Sequence, residues 1–197
     1  MTAIQAFDSI LVFYEVEVES RHRIFELDDH TKTKAWEIAT ALTEEDPKFG
    51  LLFCGRCGNG KTTFINALQS MINWLRDANY IENQNSSYLK KWNARDISSL
   101  ARDEYKQYLE MRSLEKILAI DDLGEEPHEV LDYGNIKNPI LELIEYRYDN
   151  QLPTFITSNL TPSEIAKKYG DRIADRLFEM VEKIVFNKKI EESYRRI

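Results

Sequence analysis

A chain of 197 residues, 43% of them hydrophobic, suits one domain with a full core, or one domain with a small appendage. No run approaches the roughly 18 apolar residues of a membrane span, and Met1-Thr2-Ala3-Ile4-Gln5-Ala6 has no basic stretch leading into an apolar one, so neither a membrane nor a secreted protein is expected. With 26 Lys and Arg against 34 Asp and Glu, the net charge of −8 argues against a surface coated in basic charge for tight non-specific duplex binding. The two cysteines, Cys54 and Cys57, make neither a disulfide framework nor the four ligands of a structural zinc, which suggests a reduced, cytoplasmic protein.

Along the chain, Ile10-Leu11-Val12-Phe13-Tyr14 precedes an alternation of Val16 and Val18 with Glu15, Glu17 and Glu19, consistent with a strand or the end of a helix. Ala35, Trp36, Ile38, Ala39 and Leu42 repeat at helical spacing over 31–42, and Glu44-Glu45-Asp46-Pro47 ends that helix. The apolar run over 50–54 is the type expected of a strand covered on both faces. A helix over 62–76 follows, with Phe64, Ile65, Leu68, Met71, Ile72 and Leu75 on its inner face, and then a polar loop over 78–87. The pattern next predicts a weak strand over 88–92, a helix over 96–112 and a buried strand over 116–120. A helix over 138–148 has Pro139 in its first turn. A strand over 153–158, a helix opening at Thr161-Pro162-Ser163-Glu164 and a short strand over 183–186 complete the series. Strands alternating with helices predict an α/β fold with a parallel sheet and helices on both faces.

Between the first buried strand and the next helix lies Gly55-Arg56-Cys57-Gly58-Asn59-Gly60-Lys61-Thr62, which fits the phosphate-loop pattern at every fixed position. Its glycines let the backbone curl so that N–H groups converge on phosphate oxygens, and the helix start adds partial positive charge. Lys61 is expected on the β and γ phosphates and Thr62 on Mg²⁺, with Thr63 next in the nucleotide-contacting turn. The second buried strand ends in Asp121-Asp122, which delivers two carboxylates to the ligand edge of an open α/β sheet. Asp121 is expected to hold Mg²⁺, and Asp122 to orient or deprotonate the attacking water. Glu125 and Glu126 are fallbacks for the same work, while His22, His30 and His128 lack metal-ligand spacing.

Paired acids so far beyond the loop suit hydrolysis better than transfer by a small-molecule or nucleotide kinase, which stays as an alternative. A guanine-reading element is ruled out, since Asn187-Lys188-Lys189 is followed by Ile190 where an Asp is needed. The strand over 153–158 delivers Asn159, placed either to sense the γ phosphate or to cap the following turn. Arg172 and Arg176 lie four apart on one helix face, suited either to salt bridges with Asp171 and Asp175 or to reaching a neighbouring subunit's γ phosphate.

The ordered set Gly55 to Thr62, Ile120-Asp121-Asp122-Leu123-Gly124, Thr157-Ser158-Asn159-Leu160, Gly170-Asp171-Arg172 through Arg176-Leu177, and Ser193-Tyr194-Arg195-Arg196 resembles the AAA+ ATPases of the DnaC/DnaI helicase-loader and IstB group. The resemblance covers residues 23–197 and leaves 1–22 as an N-terminal segment open to partner binding. It implies an ASCE-type P-loop NTPase with sheet order 5-1-4-3-2, no helical lid domain, and ATP with Mg²⁺ as cofactors. It further implies that Asn159 is the first sensor, that Arg176, with Arg172 close behind, is an arginine finger acting in trans, and that Arg195 is the second sensor. The partners it implies are a replicative helicase, further copies of the chain, and single-stranded DNA bound weakly and only by the oligomer. A transposition-helper ATPase of the IstB type is the alternative within the group.

Overall fold

In the computed structural model, residues 1–80, 88–127, 129–132 and 135–186 are described. The chain begins with α1 (Ala3–Glu19) and α2 (Asp29–Thr43), then β1 (Gly50–Gly55) and α3 (Lys61–Asp77). Next come β2 (Leu89–Asn93), α4 (Ala94–Asp103), α5 (Tyr105–Leu114) and β3 (Ile117–Leu123), followed by the short strands β4 (Val130–Asp132) and β5 (Asn135–Lys137). The series closes with α6 (Pro139–Asp149), β6 (Thr154–Ser158), α7 (Pro162–Tyr169), α8 (Asp171–Met180) and β7 (Glu182–Phe186).

Among the described residues, five strands form a wholly parallel sheet in the order β2-β3-β6-β1-β7. Counted along the chain and read from the β7 edge, this is the expected 5-1-4-3-2. The apolar runs follow from helices on both faces. Leu52 and Cys54 of β1, Leu118 and Ile120 of β3, and Ile156 of β6 join one buried cluster, with Ile97, Leu143 and Leu177 from α4, α6 and α8. Leu51, Phe53, Ala119 and Phe155, one residue out of phase, join the other, with Ile10, Ile38 and Phe64 from α1, α2 and α3. Each large apolar side chain buried this way contributes about 1.5–3 kcal/mol, so the two clusters hold the sheet between its helix layers.

The segment left open between strand and helix is helical. Thr2 and Gln5 form a capping box, and Ala6, Ile10 and Tyr14 are buried at spacings of four. Packing of that stripe on α2 and α3 overrides the β-branched alternation at Val16 and Val18. The helix expected over 96–112 is two helices, because the backbone breaks at Glu104 (φ −142°, ψ 61°), and α4 starts earlier, capped by the Asn93 side chain. The β4–β5 hairpin has three residues per strand, too few for alternation to reveal it. The expected loop over 78–87 and His128 fall partly or wholly outside the described residues. No helix among the described residues is long and apolar enough to cross a membrane.

Candidate functional site

The site forms where β1 passes into α3. Gly60, the residue before the helix, has φ 87°, and no side chain caps the first turn of α3. Gly55, at φ 139°, lies so close to the end of β7 that an added Cβ would sit 2.3 Å from the Phe186 carbonyl oxygen. Asn59 Nδ2 donates to the same carbonyl at 2.9 Å, so that side chain ties the loop to the sheet edge. Lys61 is buried, at 5% exposure, and curls back into the loop. Its Nζ donates to the carbonyls of Gly55 (2.6 Å) and Arg56 (2.8 Å) and to Asn159 Oδ1 (2.9 Å). Phosphate-loop lysine and strand-tip asparagine, far apart in sequence, are therefore in direct contact.

The two acids owe their placement to a break in the β3–β6 ladder. Pairing is regular to Ile120 and Ile156, then shifts register so that Leu123 faces Ser158. Asp122 sits in that break with φ 58°, a left-handed conformation that Asp tolerates better than most residues. Thr157, fully buried on β6, bridges it: its Oγ1 donates to Asp121 Oδ1 at 2.6 Å and accepts from the Asp122 N–H at 2.8 Å. Ser158 Oγ donates to the Leu123 carbonyl at 2.7 Å and accepts from the Leu160 N–H at 3.1 Å. Regular pleating would send Asp121 and Asp122 to opposite faces. Here Asp121 stays beside α3, where Thr62 Oγ1 donates to its Oδ1 at 3.2 Å, and Asp122 turns to line the cavity.

That cavity has a volume of about 590 Å³. One wall is the phosphate loop from Cys57 to Thr63, with Asp122 and Asn159. The opposite wall is the end of α1 and the turn after it, including Tyr14, Val18, His22, Ile24 and Phe25. Sequence reading did not find this second wall. Its apolar residues match no motif, and Tyr14 reaches the site only because α1 packs on α3, with the Tyr14 and Phe64 rings 4.4 Å apart. Thr157 belongs to the Thr157-Ser158-Asn159-Leu160 motif, but its role depends on the register break.

The donor set fits Mg²⁺, which takes one or two protein oxygens and completes its shell with water and phosphate oxygens. The hydroxyl of Thr62 and the carboxylate of Asp121 are such a pair. Burial pushes the Cys54 thiol above its usual pKa, so it is held as a neutral core group, and Cys57 is exposed. Glu126 faces elsewhere: buried, it pairs with Lys168 at 3.0 Å, bonds the Tyr169 hydroxyl and accepts from the Gly124 N–H. Glu125 pairs with Arg95 at 2.8 Å. Neither lines the cavity. Nor do Arg172 and Arg176, which lie on α8 and share Glu145 as partner, at 3.4 Å and 2.9 Å. Arg195 lies outside the described residues.

No protein-family model and no curated protein matches the chain. Solved structures do. The DnaC helicase loader superposes with a TM-score of 0.60 at 21% identity, over 83% of this chain and 93% of that one. DnaI gives 0.59 at 21% identity, over 87% and 88%. The replication initiator DnaA, bound to AMPPCP and single-stranded DNA, gives 0.57 at 15% identity, over 84% of this chain and 49% of that one. Strand order, phosphate loop and structural likeness agree: the chain has the DnaC-like fold of the AAA+ P-loop ATPases, as the motif resemblance implied.

Proposed function

We propose that this chain is a cytoplasmic AAA+ ATPase that loads or remodels a DNA-associated partner, a replicative helicase foremost, in DNA replication. The observation that carries the reading is the meeting of Lys61, Thr62, Asp122 and Asn159 around one cavity, with Asp121 bonded to Thr62 beside it, from segments up to 98 positions apart. In this reading the loop N–H groups and Lys61 hold the β and γ phosphates, with Arg56 to Thr63 enclosing them, and the α1 wall takes the nucleoside. Mg²⁺, held by Thr62 and Asp121, supplies charge neutralisation on the phosphates. Asp122 orients the attacking water and takes its proton, and Asn159 fixes the γ phosphate against it. Arg195 is proposed as a second sensor reaching nucleotide from the same chain.

Arg21 and Arg23 line this cavity from the α1 wall, whereas Arg172 and Arg176 of α8 do not; in this reading an α8 arginine instead reaches the γ phosphate held by a neighbouring copy. The net charge of −8 favours weak contact with single-stranded DNA, made by the oligomer. A lone subunit then hydrolyses ATP slowly, and assembly or partner binding accelerates it.

The test is ATP turnover alone, with single-stranded DNA and with the host replicative helicase, beside direct nucleotide binding by wild type and K61A. The expected result is stimulation of wild type and loss of nucleotide binding, by at least tenfold, in K61A. Unchanged binding by K61A would remove the phosphate-loop reading. Turnover indifferent to DNA and helicase would leave an ATPase but remove the loader reading, and transfer to a nucleoside would make it a kinase.

A further inference from the structure

Beside Asp121 stands a cation that no motif accounts for. Lys91 lies on β2 opposite Ala119, whose side chain belongs to the α3 face of the sheet, and Asp121 is two residues further along that face. Lys91 Nζ is 3.7 Å from Asp121 Oδ2. The other carboxylate oxygen receives the hydroxyls of Thr157 and Thr62, so these oxygens are divided between hydroxyl donors and an ammonium. At 3.7 Å the ammonium makes a charge contact rather than a hydrogen bond. Its short bond is elsewhere, to Asn66 Oδ1 on α3 at 2.6 Å. Asn66 Nδ2 in turn donates to Glu17 Oε1 of α1 at 2.7 Å, and Glu17 pairs with Arg21 at the cavity wall. Lys91 is therefore anchored on one side and only electrostatically engaged on the other.

We propose that Lys91 is a resident counter-cation of Asp121 that competes with the nucleotide's Mg²⁺ and yields toward Asn66 and Glu17 when the metal binds. The inference rests on the nucleotide reading and deepens it. A buried carboxylate without a positive neighbour is costly, so Lys91 stabilises the metal-free site. The same charge opposes a divalent ion arriving at the same carboxylate, which raises the Mg²⁺ concentration the site requires. The Asn66–Glu17 path gives the displaced ammonium an acceptor and an acid to move toward. Metal occupancy is thereby reported to α1, the helix that forms the second wall of the cavity.

The experiment is binding of a fluorescent ATP analogue to wild type, K91M, K91Q and K91R across a Mg²⁺ titration, with melting temperatures in EDTA and in Mg²⁺ plus nucleotide. The Mg²⁺ midpoint falls in K91M and K91Q by on the order of tenfold, the scale of one nearby charge in a partly screened site, while K91R stays near wild type. K91M melts lower than wild type in EDTA and regains more on adding Mg²⁺ and nucleotide. A midpoint unchanged or raised in both neutral variants overturns the inference and leaves Lys91 a packing residue or an aid to the metal. Wild type that binds no nucleotide at any Mg²⁺ concentration overturns the nucleotide reading, and the inference falls with it.

Discussion

The hydroxyl of Thr157 works in two directions, giving its proton to Asp121 and accepting the Asp122 N–H, so one buried atom orients both acids. Valine has the same shape without the hydrogen bonds. T157V is expected to lower stability by about 1–3 kcal/mol, because a carboxylate and an N–H lose a buried partner. It should also slow ATP turnover more than it weakens nucleotide binding, since Lys61 and the loop are untouched, and T157S should recover most of both. Urea melts and steady-state turnover check this; full turnover with wild-type stability in T157V would mean the ladder break is held by Asp122 itself.

At the scale of elements, the opposite end of the sheet is held by one arginine. Arg147 of α6 is fully buried and donates to Thr154 Oγ1 (2.7 Å) and to the carbonyls of Glu115 (2.8 Å), Lys116 (3.1 Å) and Pro153 (2.6 Å). These are the entries to β3 and β6, so one guanidinium ties α6 to both strands that carry site residues. Burial lowers its pKa to about 10, which leaves it charged at neutral pH. R147M keeps much of the volume but strips those acceptors of a donor. A loss of about 2–4 kcal/mol is expected, with nucleotide affinity near wild type below the melting transition. Chemical denaturation and nucleotide titration separate the two effects, and a denaturation midpoint equal to wild type would show that water replaces the guanidinium at no cost.

At the scale of the whole molecule, the proposed arginine finger has two candidates on α8. Arg176 is 23% exposed in its side chain, bonded to Glu145, with its guanidinium 5.2 Å from the centre of the Tyr148 ring; Arg172 is 74% exposed. The resemblance favours Arg176, whereas exposure favours Arg172. Turnover per subunit should rise with protein concentration if the site is completed in trans. R172A should flatten that rise by tenfold or more with nucleotide binding intact, while R176A should mainly cost stability by removing the shorter of the two Glu145 pairs and the guanidinium packed over Tyr148. Mixing R172A with K61A should restore turnover, because the K61A subunit offers its arginine to an intact phosphate loop. No recovery on mixing would refute action in trans, and a flattened rise confined to R176A would make that residue the finger.

The sequence by itself determined the α/β class, the strand order through its motif resemblance, and the phosphate loop, because those depend on local patterns. Both-face burial makes an apolar run, and a phosphate cradle needs fixed glycines followed by Lys61 and Thr62. It also determined that Asp121 and Asp122 end a buried strand. Tertiary structure decided the rest. α1 is helical because its stripe of Ala6, Ile10 and Tyr14 has α2 and α3 to pack on, a fact no window of the sequence contains. The second cavity wall, the Thr157 bridge and the Lys91 contact join residues from separate elements, so their chemistry arises from proximity rather than from spacing. The two acids show the division most clearly: the chain places them side by side, and only a register break between β3 and β6 turns Asp122 into the cavity while Asp121 stays beside Thr62.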